Sequence, residues 1–89
     1  MSDLRRRVRE AVEAYVTKRF TSLGKPADAL SSSTDLFDDG VLDSVALTGL
    51  IAAVEHATGE QIDFIDVDPD ALRTIDGIVD ELSRAIGPR

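Results

Sequence analysis

The chain has 89 residues, enough for one small domain with a single core; 43% are hydrophobic in type, and the aromatics are only Tyr15, Phe20, Phe37 and Phe64. The absence of cysteine excludes a disulfide scaffold, a thiolate metal site and a cysteine nucleophile. Ten basic residues against 17 acids give a net charge of −7, which argues against nucleic acid or an anionic membrane surface as a partner, because phosphate binding runs on excess Lys and Arg.

The N-terminus, Met1-Ser2-Asp3-Leu4 followed by arginines, has no apolar stretch behind it, so no secretory signal is expected and the protein reads as cytoplasmic. Leu4, Val8, Val12, Tyr15, Val16, Phe20 and Leu23 recur at spacings near three and four, which predicts an amphipathic helix over residues 3–23. Gly24 and Pro26 end it. This segment is basic: residues 1–25 carry +4, so the remaining 64 residues carry −11. The Arg5-Arg6-Arg7 cluster reads either as a solvated helix face or as a weak basic patch.

Residues 24–43 contain Pro26, a Ser31-Ser32-Ser33 run and Asp38-Asp39-Gly40, all loop chemistry. A connection this long is unusual in a compact domain and points to function. Leu30, Leu36, Phe37, Val41 and Leu42 are spaced along it and would anchor it to the core.

A second helix is expected from Ser44 to Thr58, with Leu47, Leu50, Ile51 and Val54 as its stripe, Asp43 or Ser44 as N-cap and Gly59 just past its end. Its most apolar run, Val45 to Val54, is far short of the roughly 20 residues that span a bilayer. Residues 60–73 alternate partly like a strand (Ile62, Phe64 or Ile65, Val67). With no partner strand in view, an extended loop with a short helical turn near Pro69–Leu72 is preferred. Thr74 then caps a last helix with Ile75, Ile78, Val79, Leu82 and Ile86 on one face, ended by Gly87-Pro88. The expected architecture is all-α: three main helices, one short helix and a long first loop, in one domain covering residues 1–89.

Ser44 is the most informative single residue. It sits between the long loop and the first helical turn, inside Val41-Leu42-Asp43-Ser44-Val45, where a phosphate ester would meet free amides and a favourable dipole. An ordinary capping serine fits the same spacing. Serine hydrolysis does not: His56 is the one histidine, about 18 Å along the same helix, and no G-x-S-x-G elbow is present. The acids Asp63, Asp66, Asp68 and Asp70 begin like an EF-hand loop, but Ala71 and Gly77 stand where Gly and Glu are needed, so no metal site is assigned. Asp35, Asp38, Asp39 and Asp43 read as turn-forming and capping acids. The other reading is an acidic docking lip for a basic enzyme surface, or help in holding a Mg²⁺ that a partner brings to Ser44.

The run Asp35-Leu36-Phe37-Asp38-Asp39-Gly40-Val41-Leu42-Asp43-Ser44-Val45, followed by an amphipathic helix, resembles the attachment site of acyl carrier proteins, and the resemblance extends from about Leu4 to Ile86. It implies an acyl-carrier-like four-helix bundle in which Ser44 receives 4′-phosphopantetheine from coenzyme A. The implied partners are a phosphopantetheinyl transferase using Mg²⁺, an acyl- or aminoacyl-loading ligase or transferase, and a downstream synthase or transferase. Asp43 matches the acid of that motif, part of the transferase's recognition or metal site. Leu50, Ile51, Val54, Ile62 and Ile75 match core positions that can line a channel between helices.

On this resemblance the protein is a monomeric covalent carrier rather than an enzyme. It would take an acyl or aminoacyl thioester through a fatty-acid, polyketide, nonribosomal-peptide or related specialised pathway. Fatty-acid carriers place acids along the helix after the serine. Here Ala46, Gly49 and Ala52 stand in those places, so Val45, Ala46, Gly49 and Ala52 are expected to form a small apolar docking face. The pattern also resembles D-alanyl and other stand-alone carriers. The competing reading is a helical protein–protein interaction module without a prosthetic group; a hydrolase or metal-binding protein ranks behind both.

Overall fold

A computed structural model describes residues 3–63, 65 and 67–86. Among the described residues the chain is all-helical, with α1 at Asp3–Ser22, α2 at Ser44–Thr58 and α3 at Ile75–Ile86. No strand forms in the described part of residues 60–73. The expected short fourth helix is a single 3-10 turn, Pro69–Ala71, started by Pro69 behind an Asp68 cap. A similar turn, Ala27–Ala29, lies in the first loop. Three residues are too few for an α-helical hydrogen-bond ladder, so the observed body is three helices with linking turns rather than four helices. Phe64, Asp66, Gly87 and Pro88, which the sequence reading used, lie outside the described residues.

The core is one cluster built from all three stripes. On α1 the buried residues are Val8, Val12, Val16 and Phe20, a strict i, i+4 row that packs against both α2 and α3. Leu23 falls outside: α1 ends at Ser22, Gly24 turns the chain at a φ of 78°, and Leu23 is left half exposed. The α2 row is Ala46, Leu50, Ile51, Val54 and Thr58, and the α3 row is Ile75, Ile78, Val79, Leu82 and Ile86.

The arginine cluster of α1 is used internally. Arg5 pairs with Asp80 of α3, Arg6 with Asp3 and Glu10, and Arg9 with Glu13 and with Asp76 of α3 at 3.1 Å. Arg7 donates to the Ala57 carbonyl at the C-terminal end of α2 (3.3 Å), where helix carbonyls lack intrahelical donors.

Two glycines permit close packing. A Cβ on Gly49 would collide with the Tyr15 phenol of α1. A Cβ on Gly77 would collide with the Ala71 carbonyl and sit 3.2 Å from the Thr74 hydroxyl, so the Pro69–Ala71 turn can lie against α3 only because residue 77 has no side chain.

Candidate functional site

The site is the junction of the first loop with α2, and the loop reaches it under tight control. Leu36, Val41 and Leu42 are buried, while Leu30 and Phe37 pack on the core from its edge. The Leu36 carbonyl accepts both the Val41 and the Leu42 amides, at 2.9 and 3.0 Å, which folds Phe37–Gly40 into a closed turn with Gly40 at a φ of 74°. Arg19 of α1 donates through Nε to the Val41 carbonyl at 2.7 Å. Elsewhere the loop is tied to α3, where the Asp76 amide donates to the Ser32 carbonyl at 3.1 Å.

Asp43 is the N-cap of α2. Its backbone is extended (φ −132°), and its Oδ1 accepts the Ala46 amide at 2.7 Å. Asp43 and Ser44 are both exposed. Ser44 is the first residue of α2, so its own amide and that of Val45 have no intrahelical acceptor. A phosphodiester on the Ser44 hydroxyl would meet the positive end of α2, and the exposure of this residue leaves it accessible to a modifying enzyme.

The four acids ahead of Ser44 divide by role. Asp35 Oδ1 accepts the Phe37 and Asp38 amides at 3.1 and 3.0 Å, while its Oδ2 accepts Nε of Arg73 at 2.9 Å. The same guanidinium donates through Nη2 to Asp38 at 3.1 Å and lies 5.8 Å from the centroid of the Phe37 ring. The Asp38 amide, the Arg73 guanidinium and the Phe37 amide together hold the Asp35 carboxyl below the usual carboxylate range. Asp35 in turn raises the pKa of Arg73. Asp39 is exposed and Asp43 is the cap, so the acids build the turn first and leave a partly neutralised rim.

The second acidic run is also turn chemistry: Asp63 accepts the Ile65 amide and Asp68 the Asp70 amide, each at 3.0 Å. His56 is exposed in the last turn of α2, on the same rigid helix as Ser44 and at its other end.

The expected docking face of α2 needs correction. Ala46 is buried at 4% exposure: it lies four residues before Leu50 and eight before Val54, so the helical period puts it on the inner stripe with them. Gly49 faces Tyr15 of α1. Val45, 82% exposed, and Ala52 do face outward, together with Thr48 and His56. Two of the four expected residues, Ala46 and Gly49, are therefore turned toward the core and α1, and two, Val45 and Ala52, face outward. Glu55 is also drawn off it, with its Oε2 accepting the Ile62 amide at 2.8 Å.

All of the expected channel residues, Leu50, Ile51, Val54, Ile62 and Ile75, are buried. A small open cleft lies elsewhere, between α1, the first loop and the start of α3. It is lined by Glu13, Thr17, Leu30, Ser31, Ser32 and Ile75, so only Ile75 belongs to both sets.

A family model described as the phosphopantetheine attachment site matches residues 21–82. The chain belongs to this family. Its members are carriers that take 4′-phosphopantetheine as a covalent arm and meet modifying and partner enzymes through it. The match spans the first loop, all of α2 and most of α3. No curated protein and no solved structure matches the chain. No helix among the described residues is long and apolar enough to cross a membrane.

Sequence reasoning missed Arg19 and Arg73, which fix the loop from α1 and from the turn before α3 respectively. Arg73 lies 38 positions from Asp35, so no local spacing could have revealed the pairing.

Proposed function

We propose that this single-domain carrier bears its arm on Ser44 and moves an acyl or aminoacyl group between partner enzymes. The observation behind this reading is the exposed Ser44 at the first turn of α2, held there by the Asp43 cap. In the attachment step the Ser44 oxygen forms a bond to the phosphorus of the pantetheine-bearing phosphate of coenzyme A. The pyrophosphate P–O bond breaks, adenosine 3′,5′-bisphosphate leaves, and the hydroxyl proton passes to a base of the transferase. Asp43 uses one oxygen in its cap, and a carboxylate retains further lone pairs, so it can also contact the transferase's Mg²⁺.

When bound, the arm supplies the thiol that carries cargo as a thioester. The protein's own residues do the rest. Asp43 and the Leu36 turn orient Ser44, while Val45, Thr48 and Ala52 give partners a nearly uncharged face that begins beside the exposed Asp43. Partners selected for an acidic helix would bind this face poorly, which favours loading and accepting enzymes of a specialised pathway.

The sequence has no cysteine, so thiol titration reads the modification directly. After incubation with coenzyme A, Mg²⁺ and a phosphopantetheinyl transferase, and repurification of the chain away from coenzyme A and the transferase, one reactive thiol per chain is expected. An interaction module without a prosthetic group would stay at zero.

A further inference from the structure

Arg73 lies 29 positions after Ser44 in the chain, yet it touches the segment that leads into Ser44 from three sides. Its guanidinium forks onto Asp35 and Asp38 and sits over the Phe37 ring. Its backbone carbonyl accepts the Leu36 amide at 2.7 Å. The Leu36 carbonyl then holds Val41 and Leu42, and only Asp43 separates Leu42 from Ser44. An isolated exposed ion pair contributes little, but a planar fork on two carboxylates with an aromatic face beneath it fixes geometry as well as charge.

We propose that Arg73 is a positioning residue for the attachment reaction: it clips the Asp35–Asp38 turn to the base of α3, so that the segment before Ser44 arrives at the transferase already ordered. The inference rests on the proposed role of Ser44. Arg73 forms no bond in the reaction and acts only through the loop. A transferase that needs the ordered segment binds a less ordered chain more weakly in proportion to the competent fraction. The effect therefore falls on KM rather than on kcat.

The test compares Arg73→Gln and Arg73→Lys with Arg6→Gln, which removes the same charge from α1 at a site that touches no loop residue. Loading by a transferase with coenzyme A and Mg²⁺ is followed by mass, and amide hydrogen exchange is followed on the unmodified chains. Arg73→Gln should raise KM about tenfold, as expected if the competent fraction falls to about a tenth, with kcat within about twofold. Arg73→Lys, reaching one carboxylate at a time, should fall between Arg73→Gln and wild type, and Arg6→Gln should match wild type. The Val41 and Leu42 amides should exchange faster in Arg73→Gln, while those of Val12 and Leu82 in the core keep their protection. The proposal is overturned if Arg73→Gln loads like wild type, if Arg6→Gln falls as far, or if loop and core amides lose protection together. If the wild-type chain itself is not loaded, the Ser44 reading fails instead, and the exchange data still report whether the clip orders the loop.

Discussion

Gly77→Ala and Gly49→Ala form a paired test of the packing that carries the site. Both place a methyl group where the structure has no room, but the obstacles differ. At Gly77 the obstacle is the backbone carbonyl of Ala71, fixed in a turn followed directly by the buried Leu72. At Gly49 it is the tip of the Tyr15 side chain, which is only partly buried and can swing. In either helix alanine gains about 0.8–1 kcal/mol in intrinsic preference over glycine. Against that gain, forcing a backbone segment off a packed helix costs toward the upper part of the roughly 1–3 kcal/mol seen for overpacked sites. Displacing one side chain from its rotamer costs about 0.5–1.5 kcal/mol.

Gly77→Ala should therefore destabilise the domain by about 1–2 kcal/mol, while Gly49→Ala should lie within about 0.5 kcal/mol of wild type. For a domain of this size that corresponds to a drop in Tm of about 4–16 °C for Gly77→Ala and a few degrees at most for Gly49→Ala. Thermal and urea unfolding followed by helical circular dichroism provide the measurement. A Gly77→Ala chain as stable as wild type, or two variants that behave alike, would refute the reasoning.

Asp43→Ala removes the cap of α2 and should cost about 1 kcal/mol in urea unfolding, with slower loading at Ser44. Ala46→Asp buries an unpaired carboxylate and should destabilise the fold by about 3 kcal/mol or more, whereas Ala52→Asp on the outer face should leave stability within about 0.5 kcal/mol and weaken partner binding. Equal stability losses at the two positions would contradict the assignment of faces. Asp35, held below its ordinary pKa in the folded chain, stabilises the fold at pH values above its unfolded value of about 4. The stability gap between wild type and Asp35→Asn should be full at pH 6, shrink below about pH 4 and close once the pH passes below the depressed folded value; a gap independent of pH would contradict this.

The helices were legible because each stripe is long and regular, and the N-cap of α2 because Asp43 precedes an uninterrupted apolar period. The left-handed Gly59 at its end was legible for the same reason: glycine there closes the helix onto the Glu55 carbonyl. Which residues of α2 face outward was not legible at Ala46 and Gly49. Alanine and glycine carry too little hydrophobicity to mark a face by themselves, and the structure places Ala46 with Leu50 and Val54 and sets Gly49 against Tyr15. The first loop could be seen to anchor on Leu36, Val41 and Leu42, but its ties to Arg19 and to Arg73, residues distant in sequence, could not. Glu55 shows the same limit: nothing in the sequence ties this α2 carboxylate to the loop beyond the helix, yet it accepts the Ile62 amide.

The central claim is that Ser44 carries the arm. Intact-mass measurement of the wild-type and Ser44→Ala chains, each incubated with coenzyme A, Mg²⁺ and a phosphopantetheinyl transferase, tests it most directly. The account predicts a gain of one phosphopantetheinyl group on wild type and none on Ser44→Ala, with both chains equally folded. An unmodified wild-type chain, or a gain that survives the loss of the Ser44 hydroxyl, would contradict it.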